Sequence, residues 1–168
     1  MTEPSEIAHE DTKTLPLAVG ATPDFEGIGR VIVDVIFKLH TTLGRGLLES
    51  VYEQILFREL SRRRLKVERQ RPISFTYEGQ EYVDAFRVDL LVDSAVLVEI
   101  KSVETLLPVH SKQLLTYLRL MNLPLGFLMN FGAATIKQGL RRVVNGEVPS
   151  ASSCLRVQKF GGSREDAP

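Results

Sequence analysis

The sequence predicts one α/β domain, a mixed β-sheet flanked by helices in the order α-α-β-β-β-α-β. Three observations predict this fold class. Apolar residues first recur at helical spacing and then alternate at a spacing of two, and a proline-bounded helical segment separates the last two predicted strands. The length of 168 residues suits a single domain with a substantial core.

Two amphipathic helices are predicted before the first strand. The apolar face of the first, about 26–41, consists of Ile28, Val31, Ile32, Val35, Ile36 and Leu39. Gly44 and Gly46 interrupt this pattern, and we expect Gly46 to allow a tight turn into the next helix. The second helix keeps the same period from Leu48 to Leu60 and ends in the basic cluster 62–64, which suits the negative end of a helix dipole.

A change to a period of two marks the start of the sheet. The predicted strands are a short one at Val67 and longer ones at 72–77, 82–92, 96–101 and 125–131. Pro108 is placed to open a helix in its first turn, and Pro124 closes that helix. The segment 136–144 fits a helix or a strand, and both interpretations stay open.

Composition is that of an ordinary soluble domain, with 43% apolar and 25% charged residues. No apolar run approaches the ~20 residues that span a bilayer, and the N-terminus lacks a secretory signal, so no membrane partner is expected. The single Cys154 excludes an intrachain disulfide and a zinc site built on cysteine pairs, and it favours a reducing, cytoplasmic location.

Charge and composition also suggest where the domain begins and ends. Residues 1–24 and 161–168 are predicted to be disordered, which leaves 25–160 as the domain. Because acidic residues are concentrated at both ends, the central part is mildly basic. Such a charge permits nucleic-acid binding without requiring it.

The segment 86–101 carries the candidate chemistry. Alternation assigns Phe86, Val88, Leu90, Val92, Val96, Val98 and Ile100 to the core face, and Arg87, Asp89, Leu91, Leu97, Glu99 and Lys101 to the opposite, functional face. A hairpin centred on Ser94 pairs 92 with 96 and 89 with 99. Asp89 and Glu99 then become direct cross-strand neighbours, with Lys101 beside them.

Two carboxylates so close repel each other, and a shared proton, a nearby cation or a bound metal relieves that repulsion. Carboxylate oxygens are ligands that Mg²⁺ and Mn²⁺ prefer, and such an ion can bind a phosphate and activate water. Lys101 would orient or help deprotonate that water, or brace the phosphate. The alternative is a surface hairpin with solvated charges, because the spacing D-x9-E-x-K also arises by chance. The apolar run 96–98 followed by Ile100 favours an interior strand that ends beside a cleft.

Asp89 followed by Glu99-Ile100-Lys101 resembles the PD-(D/E)XK nuclease superfamily, although Val88 stands where that motif has proline. More narrowly, Gly46-Leu-Leu-Glu-Ser-Val-Tyr52 resembles the signature of the bacterial GxxExxY family, which is placed in that superfamily. Stretches similar to that family also occur at 43–46, 86–89, 98–101 and 130–132. The resemblance covers roughly 26–146. It implies a restriction-endonuclease-like core and metal-dependent hydrolysis of phosphodiester bonds. We expect DNA as the substrate, with RNA as the less favoured alternative.

The same resemblance implies roles for individual residues. Asp89, Glu99, Glu49 and the main-chain carbonyl of Ile100 would bind Mg²⁺ or Mn²⁺, and Lys101 would assist the attacking water. A homodimer is also consistent with a nuclease that cuts both strands.

Three residues outside this set have two interpretations each. Gln113 and Tyr117 share a helix face and resemble a pair that lines the nucleic-acid path in exonuclease-like members, although a plain surface pair fits equally. His40 is a candidate metal ligand, but a histidine near a helix end is more often a structural hydrogen-bonding residue.

The sequence is also compatible with two other functions. One is a nucleic-acid- or protein-binding module that keeps the nuclease architecture without turnover. The other is a glycosidase-like carboxylate pair. Lys101 on the same strand face and the absence of tryptophan for sugar stacking argue against the glycosidase.

Overall fold

The protein is described by a computed structural model that covers residues 24–146. The predicted N-terminal arm, except Asp24, the predicted C-terminal tail and the last part of the predicted domain lie outside the described residues. The described chain forms helices α1 (Phe25–Leu43), α2 (Glu49–Arg62), α3 (Pro108–Leu120) and α4 (Ile136–Gly139), and strands β1 (Val67–Tyr77), β2 (Gln80–Val92), β3 (Val96–Lys101), β4 (Leu125–Asn130) and β5 (Leu140–Val144).

The predicted fold class is confirmed. The five strands form one mixed sheet in the order β1-β2-β3-β4-β5, in which β3 and β4 are parallel and the other neighbours are antiparallel. The parallel pair is connected by α3, as a crossover between parallel strands requires. The segment 136–144, for which the sequence allows a helix or a strand, contains both. None of the helices within 24–146 is long and apolar enough to cross a membrane.

Helices cover the sheet on both faces, so the described part of the chain contains two hydrophobic cores. The first core lies beneath α1 and α2 and includes Ile32, Leu56, Leu90 and Phe127. The second lies beneath α3 and includes Leu91, Leu97, Leu114, Leu118 and Leu128. Because β3 and β4 lie between these cores, β4 is buried throughout and β3 is buried up to Lys101, its last residue.

The predicted alternation of β2 is wrong on the amino side of Asp89. Val88 packs in the second core with Leu91, whereas Leu90 packs in the first. The change coincides with an irregularity opposite Asp89: Gln70 has a φ of 48°, and the β1–β2 ladder passes over the Gln70–Asp89 pair, between Arg69↔Leu90 and Arg71↔Val88. The strand therefore changes face at Asp89.

The face assigned to function is also not an open surface. Leu91 and Leu97, which alternation places there, are buried beneath α3. The candidate chemistry on β3 is thus confined to its carboxyl end, where the strand leaves the core.

Local sequence explains where the helices begin. The Asp24 carboxylate accepts the N–H of Gly27 at 2.8 Å and caps α1. The connection to α2 contains Gly46 at a φ of 103°, a conformation that favours glycine, but the connection spans residues 44–48 and has no turn assigned at Gly46. Pro108 is the first residue of α3, as predicted.

Candidate active site

The polar end of β3 forms the centre of the candidate site. Val96 to Ile100 are buried, and Lys101 is half-buried at the carboxyl end. The strand lies between β2 and β4 and is covered by helices on both faces, so the side chains of Glu99 and Lys101 are held by the packing around them.

The register of the β2–β3 hairpin is confirmed as far as its ladder extends. Val92 pairs with Val96 and Leu90 with Val98, but the expected direct pair of Asp89 with Glu99 does not form. Instead, Asp89 Oδ2 accepts the main-chain N–H of Ile100 at 2.8 Å. The carboxylate thus replaces the next ladder bond, which is why the strands part at this point.

Glu99 and Lys101 form an ion pair at the end of β3. Lys101 Nζ donates to Glu99 Oε1 at 2.9 Å, and the two side chains are 21% and 8% exposed respectively. Residues i and i+2 of a strand share a face, so this pair follows directly from the predicted extended conformation. Of the two side chains, that of Lys101 is the more exposed to solvent.

Electrostatics confirm that the charged groups lie close together. Burial raises the pKa of Asp89, against the opposing effects of the Ile100 N–H, Lys101 and Gln70. Burial and then the charge of Asp89 raise the pKa of Glu99. Burial alone would lower the pKa of Lys101, but its bond to Glu99 and the surrounding negative charges raise it overall. The two carboxylates are therefore held ionised only at a cost.

Glu49 lies at the edge of the same site. It is the first residue of α2, and its Oε1 accepts the N–H of Ser102 at 2.8 Å. The Ser102 hydroxyl donates to the carbonyl of Leu47 at 2.8 Å, which ties the turn before α2 to the end of β3. The Glu49 charge contributes to raising the pKa of both Glu99 and Lys101.

The donor set suits a magnesium-type ion, although not through three preassembled carboxylates. No group of three His, Cys, Asp or Glu side chains between residues 24 and 146 is placed to share one ion. Glu99 supplies a buried carboxylate and Asp89 a half-buried one, and the Ile100 carbonyl projects from the same side of β3 as the N–H that Asp89 binds. Mg²⁺ is commonly held by one or two carboxylates, with waters and phosphate oxygens filling the other places. The residues present therefore fit such an ion.

The predicted substrate pair on α3 is found in contact. Gln113 Nε2 donates to the Tyr117 hydroxyl at 2.6 Å, and the Tyr117 ring stacks on Phe86 with centroids 4.0 Å apart. Because one ring face is already covered by Phe86, a base could stack only on the other. Within the described chain, the hydrogen bonds of this pair do not reach the residues at the end of β3.

Two further residues have structural contacts. The His40 ring lies 3.0 Å from the carbonyl of Ala133, which matches the hydrogen-bonding interpretation. Tyr52 is fully buried, stacks on Phe131 and donates its hydroxyl to the Gly44 carbonyl at 2.8 Å. Tyr52 thus fixes the glycine-containing turn from which Glu49 starts.

Sequence reasoning missed two polar residues near the site, Glu53 and Gln70. Glu53 is buried and accepts hydrogen bonds from Arg69 and Gln70, and Gln70 also donates to Asp89. Glu53 could have been noticed, because a charged residue interrupts the apolar face that contains Tyr52 and Leu56. Nothing in the sequence indicates Gln70, because its contact with Asp89 depends on the backbone irregularity at this residue.

Asn130 begins the stretch 130–132 that resembles the family, and it has a structural role. It is buried, and its amide oxygen accepts the N–H groups of Val103 and Gly132. Its amide nitrogen donates to the Val103 carbonyl at 2.8 Å. A polar residue at the end of an otherwise apolar predicted strand was the available signal.

Comparison with known proteins agrees with this geometry. A family model described as the PD-(D/E)XK nuclease superfamily matches residues 26–143, which extend from α1 into β5. No curated protein and no solved structure matches the chain. Members of the superfamily typically hydrolyse phosphodiester bonds and generally use divalent metals, most often Mg²⁺. On this match, the chain belongs to the PD-(D/E)XK nuclease superfamily.

Proposed function

We propose that the protein is a Mg²⁺- or Mn²⁺-dependent nuclease that hydrolyses phosphodiester bonds of DNA, and that it is a member of the GxxExxY group. One observation carries the proposal: the half-buried Asp89 carboxylate lies close enough to the buried Glu99 carboxylate to raise its pKa, beside the Lys101 ammonium. A divalent cation between them would relieve their repulsion and make both ionised forms favourable.

The metal ligands in this proposal are Asp89, Glu99, the Ile100 main-chain carbonyl and Glu49. Asp89 and Glu99 bind from neighbouring strands, and each has a lone pair not used by its present partner. Glu49 uses Oε1 for the Ser102 N–H, and its second carboxylate oxygen is the atom proposed to reach the ion. When bound, the metal supplies charge for a phosphate oxygen and lowers the pKa of a coordinated water.

Lys101 is proposed to assist the attacking water. An ammonium has three donors and no acceptor, so while protonated it orients water or braces a phosphate rather than accepting a proton. Its stem is held by the end of β3, and its hydrogen bond to Glu99 at 2.9 Å fixes the head group beside the proposed ligands.

The GxxExxY assignment is supported by what its three residues do. Gly46 adopts a φ of 103°, Glu49 begins α2, and the Tyr52 hydroxyl bonds to the carbonyl of Gly44. These contacts bring the Glu49 carboxylate to the end of β3. Gln113 and Tyr117 are proposed to contact the substrate, through an amide and a hydroxyl that can both bind phosphate.

The experiment is a cleavage assay on DNA and RNA with Mg²⁺ or Mn²⁺, compared with the same reactions in EDTA. Wild type is compared with Lys101→Ala and Asp89→Ala, with Lys112→Ala and Asp34→Ala as exposed controls on α3 and α1. We expect cleavage in wild type and controls, and its loss in the two site variants. Equal cleavage in all five proteins would remove the mechanism.

A second candidate is a nucleic-acid-binding module without turnover. It is favoured by the lack, within residues 24–146, of three acidic or imidazole side chains placed around one point. Calorimetric titration separates the two candidates. DNA affinity without any Mg²⁺ or Mn²⁺ binding would favour the module, whereas metal binding lost in Asp89→Ala would favour the nuclease.

Two parts of the proposal concern the whole protein. A cytoplasmic location is supported by the single Cys154, and a homodimer by the need for two sites to cut both strands. Sedimentation of the full chain with and without duplex DNA measures the oligomeric state.

A further inference from the structure

Three polar side chains that the proposed mechanism does not use form a chain of hydrogen bonds ending on Asp89. Arg69 Nε donates to Glu53 Oε1 at 2.8 Å, and Gln70 Nε2 donates to Glu53 Oε2 at 2.7 Å and to Asp89 Oδ1 at 3.2 Å. We propose that Gln70, held by Glu53, is a positioning residue that sets the orientation of the Asp89 carboxylate for metal binding. This inference rests on the proposed function.

The Gln70 amide can satisfy both neighbours in one orientation only. Its NH₂ group has two hydrogens, and two carboxylate oxygens accept from that nitrogen. A flipped amide would point its oxygen at both carboxylates and lose both bonds. Glu53 therefore determines which end of the amide faces Asp89.

The backbone of Gln70 is adapted to this contact. Its φ of 48° lies in the left-handed region, which is uncommon for a residue other than glycine. The irregularity falls opposite Asp89, where β2 changes face between the two cores. In this uncommon conformation, the Gln70 side chain reaches Asp89 across the strand pair.

Glu53 is costly to keep where it is, which argues for a role beyond packing. It is only 6% exposed, and burying a carboxylate is unfavourable unless it is well paired. Its cation Arg69 also lies over the Phe57 ring, 5.5 Å from the centroid. Burial and, as a smaller contribution, the Glu53 charge raise the pKa of Asp89, so Glu53 does not help to ionise Asp89. We therefore assign Glu53 the role of fixing the orientation of the Gln70 amide.

Both oxygens of Asp89 are fixed as a result. Gln70 of β1 donates to Oδ1, and the Ile100 N–H of β3 donates to Oδ2 at 2.8 Å. Donors from the strands on either side set the plane of the carboxylate and leave further lone pairs for an ion. Removing an outer hydrogen-bond partner of a metal ligand typically weakens metal binding by about 10–100-fold.

The test uses Gln70→Met, which keeps the length of the side chain but cannot donate, and Glu53→Gln, which keeps its shape. Gln54→Met and Glu59→Gln are matched controls on α2: Gln54 is exposed, and Glu59 pairs with Lys38 and Arg62. Calorimetry measures the Mn²⁺ dissociation constant of each full-length protein. Titration in EDTA measures DNA affinity, and thermal melting reports folding.

We expect Gln70→Met to weaken Mn²⁺ binding by about 10-fold or more, and Glu53→Gln to weaken it less. DNA affinity in EDTA should be unchanged, and both controls should match wild type. Wild-type Mn²⁺ affinity in Gln70→Met would overturn the inference, as would a parallel loss of metal and DNA affinity, which indicates a structural role.

Two remaining outcomes are also decisive. If Gln70→Met does not fold, the Mn²⁺ affinity of Glu53→Gln tests the inference instead, because this substitution alters hydrogen bonding without changing the side-chain volume. If wild type itself neither binds Mn²⁺ nor cleaves, the proposed function fails and the inference falls with it. Metal binding and cleavage by wild type with no effect of either substitution would refute the inference alone.

Discussion

Asp89 binds the main chain of Ile100 through its carboxylate at 2.8 Å, at the point where the β2–β3 ladder ends. A side chain thus takes over a hydrogen bond that an ordinary hairpin would form between backbones. This relationship anchors one carboxylate of the site to the same residue whose carbonyl is proposed to bind the metal. It also fixes the position of the Asp89 carboxylate relative to the end of β3 without a bound ion.

Divalent metal should stabilise the protein against unfolding. A ligand that binds only the folded state at 100 times its dissociation constant adds about 2.7 kcal/mol. We expect Mg²⁺ or Mn²⁺ to raise Tm in wild type, and this increase to disappear in Asp89→Asn, which can still accept the Ile100 N–H. Differential scanning fluorimetry with Glu59→Gln as control measures it, and an undiminished increase in Asp89→Asn would contradict the site.

Acidification should change the stability of wild type relative to Glu99→Gln and relative to Glu59→Gln in opposite directions. The pKa of Glu99 is raised, mainly by burial, so in the absence of metal the folded protein binds its proton more readily than the unfolded chain does. Wild type should therefore gain stability relative to Glu99→Gln as the pH falls from 7 through the raised pKa of Glu99 to the ordinary glutamate range.

Glu59 provides the comparison. Its pKa is lowered, first by the hydrogen bond from Lys38 and then by that from Arg62. Its stabilising effect is present above the ordinary glutamate range and is lost as the pH falls through its lowered pKa. Wild type should thus lose stability relative to Glu59→Gln on acidification. Urea unfolding in EDTA at several pH values measures both differences, and equal signs would contradict the electrostatics of the site.

Removing the Tyr52 hydroxyl should loosen the turn before α2. In Tyr52→Phe the Gly44 carbonyl loses its donor, and the weaker contact with the Leu47 N–H at 3.4 Å is also lost. The expected loss is about 1 kcal/mol of unfolding free energy, because the group left without a partner is partly buried. Tyr77→Phe, at an exposed tyrosine, is the control. Chemical denaturation measures both, and equal stabilities would refute the hydrogen bond.

Gly132 should not tolerate a side chain. A Cβ atom there would lie 2.3 Å from the carbonyl oxygen of Val103, which Asn130 also binds. Gly132→Ala should cost about 1–3 kcal/mol, since backbone would have to move. Gly126→Ala is the control, because its Cβ would meet only Leu114 side-chain atoms, at 3.1 Å and beyond. Denaturation curves that show the larger loss for Gly126→Ala would contradict this packing.

The end of β3 could be predicted from sequence because its chemistry is local. Glu99 and Lys101 are two residues apart in an apolar strand, and a buried strand that carries such residues must expose them near its end. The turn at Ser94 also fixed the register, since hairpin pairing follows from the centre of the turn. The confirmed pair of Val92 with Val96 shows this.

The surroundings of Asp89 could not be predicted, because they depend on contacts between distant segments. β2 changes face at Asp89, opposite Gln70, which is 19 residues away in sequence and adopts an unusual φ. A prediction from the alternation of apolar and polar residues assumes a regular strand, so it cannot include such an irregularity. Glu53 was visible as a polar residue on an apolar helix face, but its partners on β1 follow only from the tertiary packing.

The unequal lengths of β2 and β3 have a practical consequence. β2 has 13 residues and β3 has six, and the two strands pair only over Leu90–Val92, so the tip of the β1–β2 hairpin extends beyond the rest of the sheet. A register shift between Ile73 and Phe75 further separates the tip from Asp89. A fluorophore attached at the exposed Glu78 would therefore report the approach of labelled DNA by energy transfer while leaving the strand ends untouched.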